Sequence, residues 1–383
     1  MKKICVVIGS RANYSSIKSA MRAIDEHPSL ELILLVGASA ILDRYGGVIE
    51  LIKSDGFTPS ATFHMLIEGG NPTTMAKSTG LGLIEIPTLF DQLKPDVVLT
   101  VGDRFETMST TLAAAYMNIP VAHSMGGEVS GTIDESIRHA VTKFAHIHFP
   151  ACEGARQRII RLGERPEHVH MVGCPRIDLI AEQIKNSEVS KNKNLFAKGV
   201  GDLIDINKPF ILVSQHPVTT EFGTGESQIT NTLEAIQEIG LPSIVLWPNA
   251  DAGSDDIARG IRKWREKKLD KNMHFFKNLP IEDYVTLMQK TTCLVGNSSS
   301  GIREGSFIGT PVVNIGTRQN ARDRGKNVVD VQHLKAEIKK AILHQIDKGR
   351  YSPENIYGDG LAGKRIAQIL SEEDVDIQKC ITY

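Results

Sequence analysis

The sequence predicts an α/β fold made of two doubly wound domains that face a central cleft. Short apolar runs alternate with amphipathic stretches along nearly the whole chain, and the alternation lapses once, in a stretch rich in Lys, Asn and Ser from Lys185 to Asn207. Each half also contains a strand that runs into a glycine- and serine-rich turn. Apolar strands that alternate with helices indicate a parallel sheet covered on both faces, and a polar gap indicates a linker.

The first domain is expected over residues 1–184. Its strands are predicted at Ile4–Ile8, Leu30–Val36, Ala61–Leu66, Val97–Val101, Val121–His123, His146–Phe149 and His168–Val172. Helices are predicted between them, among others at Tyr14–Asp25, Thr73–Leu93 and Asp134–Phe144. The short strands are almost entirely apolar, which is expected for strands that are buried on both faces.

The linker is expected over residues 185–207 and the second domain over residues 208–360. Strands are predicted there at Phe210–Ser214, Ser243–Trp247, His274–Phe276, Cys293–Val295, Val312–Ile315 and Val328–Val331, so the second half repeats the architecture of the first. A last helical stretch, Leu361–Leu370, belongs to residues 361–383, which we expect to pack back on the first domain.

Composition excludes several classes of function. The 383 residues are 41% hydrophobic and 23% charged, as in globular proteins, and the formal net charge of −1 offers no footprint for nucleic acid or an anionic membrane. The first apolar run stops at Gly9, which is too early for a signal peptide. Five widely spaced cysteines without a CxxC pair favour reduced thiols. We therefore expect a cytoplasmic protein that binds neither nucleic acid nor membrane.

The strand-to-helix turn at residues 296–300 is a candidate ligand site. A glycine and an asparagine lead there into Ser298 and Ser299 ahead of a predicted helix. Backbone N–H groups at a helix start can bind phosphate or diphosphate, although Ser and Asn also favour an ordinary N-cap. A similar turn at residues 9–16 includes Arg11 and Ser15. We therefore expect one diphosphate to contact both domains.

A second candidate lies where the strand Val97–Val101 runs into Gly102, Asp103 and Arg104. Ligands of doubly wound sheets bind at the carboxyl ends of the strands. Asp103 would act there as a base and Arg104 as an anion clamp. The alternative interpretation is an aspartate N-cap beside a solvated arginine.

The segment 126–139 combines a loop of three glycines with a helix dense in titratable groups. Glycines let the backbone approach a ligand closely. Asp134 and Arg138 are four residues apart on the helix, as are Glu135 and His139, so each pair shares one face. A capping box with two surface ion pairs would use the same residues. The density of titratable groups beside a glycine loop favours a site.

Three residues of the second domain follow predicted strands in the same way. His216 closes the first strand beside a proline, Asn249 follows the second strand, and Arg318 follows a later one. All three therefore lie at the edge where a ligand is expected, although a lone histidine is more often structural.

Two pairs of alternating histidines suggest a metal site, namely His146 with His148 and His168 with His170. Residues two apart on a strand point to the same face. We expect no thiolate or carboxylate partner beside that face, so we expect packing residues and neither metal nor other cofactor.

Together these motifs resemble the hydrolysing UDP-N-acetylglucosamine 2-epimerases, which release N-acetylmannosamine at the start of sialic and related nonulosonic acid synthesis. The resemblance covers nearly the whole chain through RANYS, LKPDVV with GDRFE, GGEVSGTIDESIRHA, QHPVTTE, GNSSSGIRE and GTRQNARDRGKNVV. It implies a GT-B arrangement of two Rossmann-like domains, usually as a homodimer. It also implies a UDP-linked 2-acetamido sugar as substrate, either UDP-N-acetylglucosamine or its 4-acetamido-6-deoxy relative. The segment GTIDESIRH is typical of the hydrolysing members.

The resemblance implies roles for single residues as well. Asp103 and Asp134 match two of the family's three catalytic carboxylates, and His216 would contact the departing phosphate. The diphosphate and the ribose would be bound by Arg11, Ser298, Ser299 and Glu304. The same cleft would also contain Arg318 and Asn249. From the motifs above we add Arg138 to the catalytic set, and Ser15 and Arg104 to the substrate-binding set.

Two positions depart from the family pattern. Asn13 stands where aspartate is common, and the other departure concerns a catalytic carboxylate. Family members typically read His-Ile-Glu-Gly-Gly where this chain has His123-Ser124-Met125-Gly126-Gly127. Methionine cannot transfer a proton. Either Glu128 or Asp134 takes over that role, or the substrate differs, or the activity is weak. Alternatively, Met125 is a packing residue beside a site that never used this carboxylate.

Two other classes of protein would use the same fold. A GT-B glycosyltransferase would need an acceptor pocket, and a nucleotide-sugar sensor would keep the diphosphate site without the base. Incubation with UDP-N-acetylglucosamine alone separates the three classes, because only a hydrolysing epimerase releases UDP and N-acetylmannosamine.

Overall fold

The computed structural model contains two α/β units, each built around a largely parallel sheet. It describes residues 1–382 except 44–46, 69–71, 130–132, 187–194, 219–220, 222, 249–252 and 278. The first unit comprises Met1–Val129, Ile133–Leu179 and the chain from Tyr357 onward, and the second comprises Ile180–Ile356. In the described parts of the chain, no helix is both long enough and apolar enough to cross a membrane.

The first unit contains a sheet of six parallel strands. They are β1 (Lys2–Ile8), β2 (Leu30–Gly37), β3 (Ala61–Phe63), β4 (Val97–Val101), β5 (Val121–Ser124) and β6 (Ile147–Phe149). Their order is β3-β2-β1-β4-β5-β6. The order reverses between β1 and β4, so the connections after these two strands leave in opposite directions. Doubly wound sheets bind ligands at this switch point.

Helices cover this sheet, and its strands carry buried apolar side chains. They are α1 (Arg11–Asp25), α2 (Val48–Ser54), α3 (Pro72–Leu93), α4 (Phe105–Tyr116), α5 (Ile133–Phe144), α6 (Glu153–Arg161) and α7 (Pro175–Asn186). The predicted α/β fold with two doubly wound sheets is thus confirmed in its first half.

Three predicted elements of the first unit differ from the structure by three residues or more. The strand predicted at Ala61–Leu66 ends at Phe63. Residues 168–172 form no strand; a single bridge joins His148 to Val169, because Pro166 begins a short 3₁₀ turn. Helix α1 begins at Arg11 rather than at Tyr14. The Ser10 hydroxyl caps it by accepting a hydrogen bond from the backbone N–H of Asn13 at 3.2 Å.

The second unit repeats the strand order of the first. Its strands are β7 (Val200–Gly201), β8 (Ile211–Ser214), β9 (Ser243–Leu246), β10 (Met273–Phe276), β11 (Cys293–Gly296), β12 (Val312–Ile315) and β13 (Val328–Val331). Their order is β13-β12-β11-β8-β9-β10-β7, and only the edge strand β7 is antiparallel to its neighbour. Without β7 this is the order of the first sheet, so a second switch point lies between β8 and β11.

The helices of the second unit are α8 (Gly225–Ile239), α9 (Ser254–Glu266), α10 (Ile281–Lys290), α11 (Ser299–Ile308) and α12 (Lys335–Lys348). Residues 195–207 fall within the predicted linker, but the structure includes them in this unit. Leu195 and Ile204 pack into the same hydrophobic cluster as Phe210. The polar composition of the segment concealed these two apolar anchors.

The last helix, α13 (Ala362–Glu372), packs against α1 in the first unit. Gly363 allows the close approach, because a Cβ atom there would lie 2.6 Å from the carbonyl group of Ser19. The buried carboxylate of Asp178 accepts hydrogen bonds from the backbone N–H groups of Ala362 at 3.0 Å and Gly363 at 2.7 Å, and from the Ser19 hydroxyl at 2.9 Å. Asp178 on α7 therefore caps α13 and holds it on α1.

We expect Asp178→Asn to lower the free energy of unfolding by about 2–3 kcal/mol, because the amide replaces a buried anion that accepts three hydrogen bonds. Asp359→Asn is the matched control near the same helix. It removes the charge from an exposed ion pair with Arg365, which is worth less than about 1 kcal/mol, and the amide oxygen can still accept backbone hydrogen bonds. Urea unfolding of both variants measures the difference, and equal losses would contradict an anchoring role for Asp178.

Candidate functional site

Polar side chains fill the switch point of the first sheet. Asn13 near the start of α1 donates through its side chain to the carbonyl oxygen of Val101 at the end of β4, at 3.5 Å. Gly9 lies directly above the buried side chain of Glu106, and a Cβ atom on Gly9 would lie 2.3 Å from its Cγ atom. The glycine of this turn therefore makes room for a carboxylate of the protein itself.

Asp103 forms an ion pair with Arg138 at the same edge of the sheet. The guanidinium group of Arg138, only 2% exposed, donates to Asp103 Oδ2 and also to the carbonyl oxygen of Glu128, at 2.7 Å. The N-cap position of α4 belongs to Arg104 and not to Asp103, so the N-cap alternative is wrong. One quarter of the Asp103 side chain remains exposed. The pair thus presents an oriented, accessible carboxylate.

Arg104 is also held in place. Its Nε atom donates to Glu106 Oε1 at 2.8 Å, and its guanidinium carbon lies 5.8 Å from the centre of the Phe105 ring. The side chain is 41% exposed, so it is anchored at one end and accessible at the other. An anion clamp requires this combination.

The glycine loop after β5 is positioned by the protein around it. Met125 has a positive φ of 63° and is almost fully buried, with its Sδ atom 3.9 Å from Cys174 Sγ. Gly127 also has a positive φ, and a Cβ atom there would lie 2.3 Å from the carbonyl oxygen of Ala155 on α6. Left-handed backbone at a residue other than glycine is uncommon and is concentrated at functional sites. The buried carboxylate of Glu128 follows directly.

His123 holds the turn that carries Asp103. Its ring is fully buried, with Nε2 2.8 Å from the carbonyl oxygen of Gly102 and Nδ1 3.2 Å from the Thr142 hydroxyl. Burial lowers the pKa of His123 to about 4, so the imidazole is neutral at ordinary pH. Sequence reasoning missed this role; the available signal was a histidine in a buried strand directly before the glycine loop.

Other residues proposed for the first unit lie as follows. Asp134 is half-buried in the first turn of α5, and Glu135 pairs with His139 at 3.5 Å as its spacing predicts. Ser15 is not at the anion-type turn, because α1 begins four residues earlier, at the exposed Arg11. Its hydroxyl instead bonds to the carbonyl oxygen of Ala12 and accepts from Arg176 at 3.2 Å.

Asn297 joins three loops at the switch point of the second sheet. Its buried side chain accepts from the backbone N–H of His216 at 2.7 Å and donates to the carbonyl oxygen of the same residue at 2.9 Å. Its own carbonyl oxygen accepts from Arg318 at 3.3 Å and from Gln319 at 2.9 Å. The structure thus brings His216 and Arg318 together, through an asparagine that the sequence analysis left without a role.

His216 is buried and neutral in this arrangement. Burial, and then the positive charge of Arg318, lower the pKa of His216 to about 3. Its Nε2 atom lies 3.4 Å from the Ser214 hydroxyl. A bound anion would act against the charge of Arg318 and raise this pKa.

The start of α11 has the predicted N-cap. Ser298 is the N-cap residue, and its Oγ atom accepts from the backbone N–H of Ser300 at 3.4 Å. Gly296 has a φ of 137°, and a Cβ atom there would lie 2.1 Å from the carbonyl oxygen of Ser214. Ser299 is half-buried in the first turn, whereas Glu304 is buried further along the helix. Asn249 lies outside the described residues.

The alternating histidines bind carboxylates from distant parts of the chain. His168 Nδ1 and His170 Nε2 lie 2.5 Å and 2.6 Å from the two carboxylate oxygens of Glu373, and His148 Nε2 lies 3.0 Å from Glu164. The expectation that no carboxylate is nearby was wrong: Glu373 is more than 200 positions from its two histidines, and Glu164 is 16 positions from His148. Among the residues the structure describes, no group of three or more His, Cys, Asp or Glu side chains could hold a metal ion.

Comparisons of this chain with known proteins agree on one family. A family model described as UDP-N-acetylglucosamine 2-epimerase matches residues 22–371. The chain is 33% identical over 386 aligned residues to the UDP-N,N'-diacetylbacillosamine 2-epimerase (hydrolyzing) of Legionella pneumophila, with 100% of both chains covered. It is 29% identical to the UDP-N-acetylglucosamine 2-epimerase of Neisseria meningitidis serogroup B, with 98% of this chain and 96% of that relative covered.

Solved structures show the same fold. The crystal structure of UDP-GlcNAc 2-epimerase from Neisseria meningitidis bound to UDP-GlcNAc matches with a TM-score of 0.82 at 18% identity, over 97% of this chain and 100% of that chain. The enzyme from Methanocaldococcus jannaschii in complex with UDP-GlcNAc and UDP matches with a TM-score of 0.79 at 19% identity, over the same shares of the two chains. The predicted GT-B-like fold is confirmed by these matches.

We expect the protein to lose stability as the pH falls from about 6.5 to about 4. The pKa of His123 is about 4 in the folded protein, below its value in the unfolded chain, so the unfolded chain binds the proton first. The stability that His123 contributes above this range is therefore lost within it, by up to about 3 kcal/mol. Urea unfolding at several pH values measures the loss. His123→Gln cannot titrate and should show a shallower dependence; an equally steep one would contradict the assignment.

Proposed function

This chain belongs to the UDP-N-acetylglucosamine 2-epimerase family, and on that premise we propose that it is a hydrolysing epimerase of a UDP-linked 2-acetamido sugar. The observation that carries the proposal is the ion pair of Asp103 with the buried Arg138 at the first switch point. The name of the Legionella relative and the GTIDESIRH segment support hydrolysis. The role in nonulosonic acid synthesis, the homodimer and the cytoplasmic location stay predictions from the sequence.

The proposed reaction is an elimination followed by a hydration. The hydrogen on C2 of the sugar is not next to a carbonyl group, so it is acidic only if the bond from C1 to the diphosphate breaks as the proton leaves. A carboxylate removes this proton, UDP departs, and a glycal with a C1–C2 double bond remains. Water then adds to C1, and a proton returns to C2 from the opposite face. The products are UDP and the free 2-epimeric sugar.

We assign the proton transfers to carboxylates of the first unit. Asp103 is held by Arg138, and Asp134 lies one helical turn before that arginine on α5. A base whose orientation is fixed stays close to the proton that it removes, so less of the reaction rate is lost through misplacement of the base. Glu128 follows the glycine loop as a buried carboxylate, which supports it as the replacement for the family glutamate at Met125.

We assign the departing diphosphate to groups of the second unit. The N-terminus of α11 directs backbone N–H groups and the positive end of the helix dipole toward an anion. Ser298, Ser299 and Arg318 would add side-chain donors, and Arg11 of the first unit would add a charge. His216 is neutral before the ligand binds. Negative charge that develops on the phosphate would favour its protonated form and thus a hydrogen bond to the leaving group.

Met125 bears on the choice of sugar. Its side chain is buried beside Cys174, which supports the interpretation of Met125 as a packing residue that makes this wall of the loop apolar. An apolar wall suits the less polar 4-acetamido-6-deoxy sugar, which is the sugar in the name of the Legionella relative. Plain UDP-N-acetylglucosamine, named for the Neisseria relative, remains the second substrate in the proposal.

Incubation with each UDP-sugar alone, without any acceptor, tests the reaction. We expect free UDP and the free 2-epimeric sugar, with deuterium at C2 when the solvent is deuterium oxide. Mass spectrometry and carbon-13 spectra of the products measure this. A sugar that is epimerised but still linked to UDP would identify a non-hydrolysing enzyme. Turnover only with an acceptor would identify a transferase, and binding without turnover would identify a sensor.

Single carboxamide variants test the proposed bases. We expect Asp134→Asn and Glu128→Gln to lower turnover by about 10²–10⁴-fold and to reduce deuterium incorporation at C2, because each keeps its shape but loses a base. Glu135→Gln is the matched control on the same turn of α5. That residue pairs with His139 at 3.5 Å, and its loss should leave turnover within about threefold. Full exchange in Glu128→Gln would remove Glu128 from the mechanism and leave Asp103 and Asp134 as the carboxylates that transfer protons.

A further inference from the structure

We propose that Tyr284 is a positioning residue of the nucleotide site. Its phenol group donates a hydrogen bond to Ser300, which donates to Ser298, and this chain directs the remaining proton of Ser298 toward the bound diphosphate. The inference rests on the proposed function, because it assigns the diphosphate to the N-terminus of α11. It adds a residue of α10 that no motif of the sequence analysis contains.

The geometry consists of three hydroxyl groups in a row. The Tyr284 hydroxyl lies 2.5 Å from Ser300 Oγ, and Ser300 Oγ lies 2.8 Å from Ser298 Oγ. Both distances are well within hydrogen-bond range for hydroxyl groups. Ser300 is buried, whereas Ser298 at the N-cap is half-buried. The row therefore runs from the half-buried Tyr284 through the buried Ser300 to the end of the helix.

Counting protons leaves three possible arrangements of hydrogen bonds in this row. Each hydroxyl group has one proton to donate and can also accept. If Tyr284 donates to Ser300, and Ser300 to Ser298, the proton of Ser298 is left for a ligand. In the other two arrangements Ser298 spends its proton on Ser300, which either donates to Tyr284 or accepts from both neighbours. A diphosphate offers only acceptor oxygens, so a hydrogen bond from Ser298 to it requires the direction from Tyr284 to Ser298.

The phenol group favours that direction. A phenol is far more acidic than an aliphatic alcohol, and is therefore the better hydrogen-bond donor of the two. Ser298 Oγ also accepts from the backbone N–H of Ser300, at 3.4 Å. The hydroxyl group and the backbone N–H of Ser300 then both donate to Ser298 Oγ. The proton of Ser298 therefore points away from Ser300. Tyr284 would thus prepare Ser298 as a donor before the ligand arrives.

The matching turn of the first unit is built differently. Ser10 is the N-cap of α1, as Ser298 is of α11. The Ser10 hydroxyl, however, donates to Asn13 Oδ1 at 2.9 Å, and an amide oxygen can only accept. Its proton is therefore used within the helix. Of these two serine caps, only Ser298 has a neighbouring row of donors that leaves its proton for an anion.

Calorimetry with UDP on the full chain tests the proposal. We expect Tyr284→Phe to weaken UDP binding by about three- to tenfold, because one hydrogen bond to an anion loses its support. Ser300→Ala, which interrupts the row, should have a similar effect. Tyr351→Phe is the matched control in the same unit. It removes a tyrosine hydroxyl that donates to Gln345 at 2.7 Å and should leave UDP binding unchanged.

A double-mutant cycle separates positioning from general destabilisation. If Tyr284 acts through Ser298, Tyr284→Phe should cause no further loss of UDP affinity in a Ser298→Ala background. A loss of the same size in both backgrounds would overturn the proposal, since the tyrosine would then act independently of Ser298. If Tyr284→Phe fails to fold, the cycle of Ser300→Ala with Ser298→Ala decides the question by the same criterion.

Two further outcomes separate the positioning role of Tyr284 from the proposed function. Absence of UDP binding by the unmodified protein would overturn both. Normal UDP binding and turnover by the unmodified protein, together with unchanged affinity in Tyr284→Phe, would overturn the positioning role alone.

Discussion

Each sheet of this protein reverses its strand order once, and the positions of several proposed functional groups follow from that reversal. In the first unit the chain leaves β1 and β4 in opposite directions, and in the second it leaves β8 and β11 in opposite directions. Backbone groups after these strands therefore have no neighbouring strand to pair with. Asp103 follows β4, His216 follows β8 and Ser298 follows β11.

Buried polar contacts within each unit then fix the loops at these points. Arg138 bonds to Asp103 and to the carbonyl oxygen of Glu128, and His123 supports the turn between them. Asn297 does the same in the second unit by joining the loops of His216 and Arg318. Buried polar groups are costly unless they are satisfied, so such networks hold one geometry. A site held in this way needs little rearrangement when charge develops on a substrate.

Family membership supports the class of enzyme, whereas the local geometry at Met125 bears on the details of its site. The family model and the relatives support a nucleotide-sugar epimerase. The loop at Met125 has a left-handed turn and two glycines, and an apolar side chain against Cys174 stands where the family resemblance leads us to expect an acid. The nearest buried carboxylate in the sequence is three residues on, at Glu128. A difference in one side chain of such a loop bears on the chemistry of a site and leaves the fold as it is.

The sequence by itself determined the α/β fold, most strand positions and the helix that follows the second glycine-serine turn, because apolar runs and capping residues act over a few neighbouring positions. Which polar groups meet was decided only by tertiary structure. Arg138 shares a helix face with Asp134, yet it pairs with Asp103, 35 positions away. The carboxylate that binds His168 and His170 comes from Glu373, more than 200 positions away. No local pattern encodes such pairs, because hydrogen bonds and ion pairs depend on distances in space that exist only once the sheets have formed.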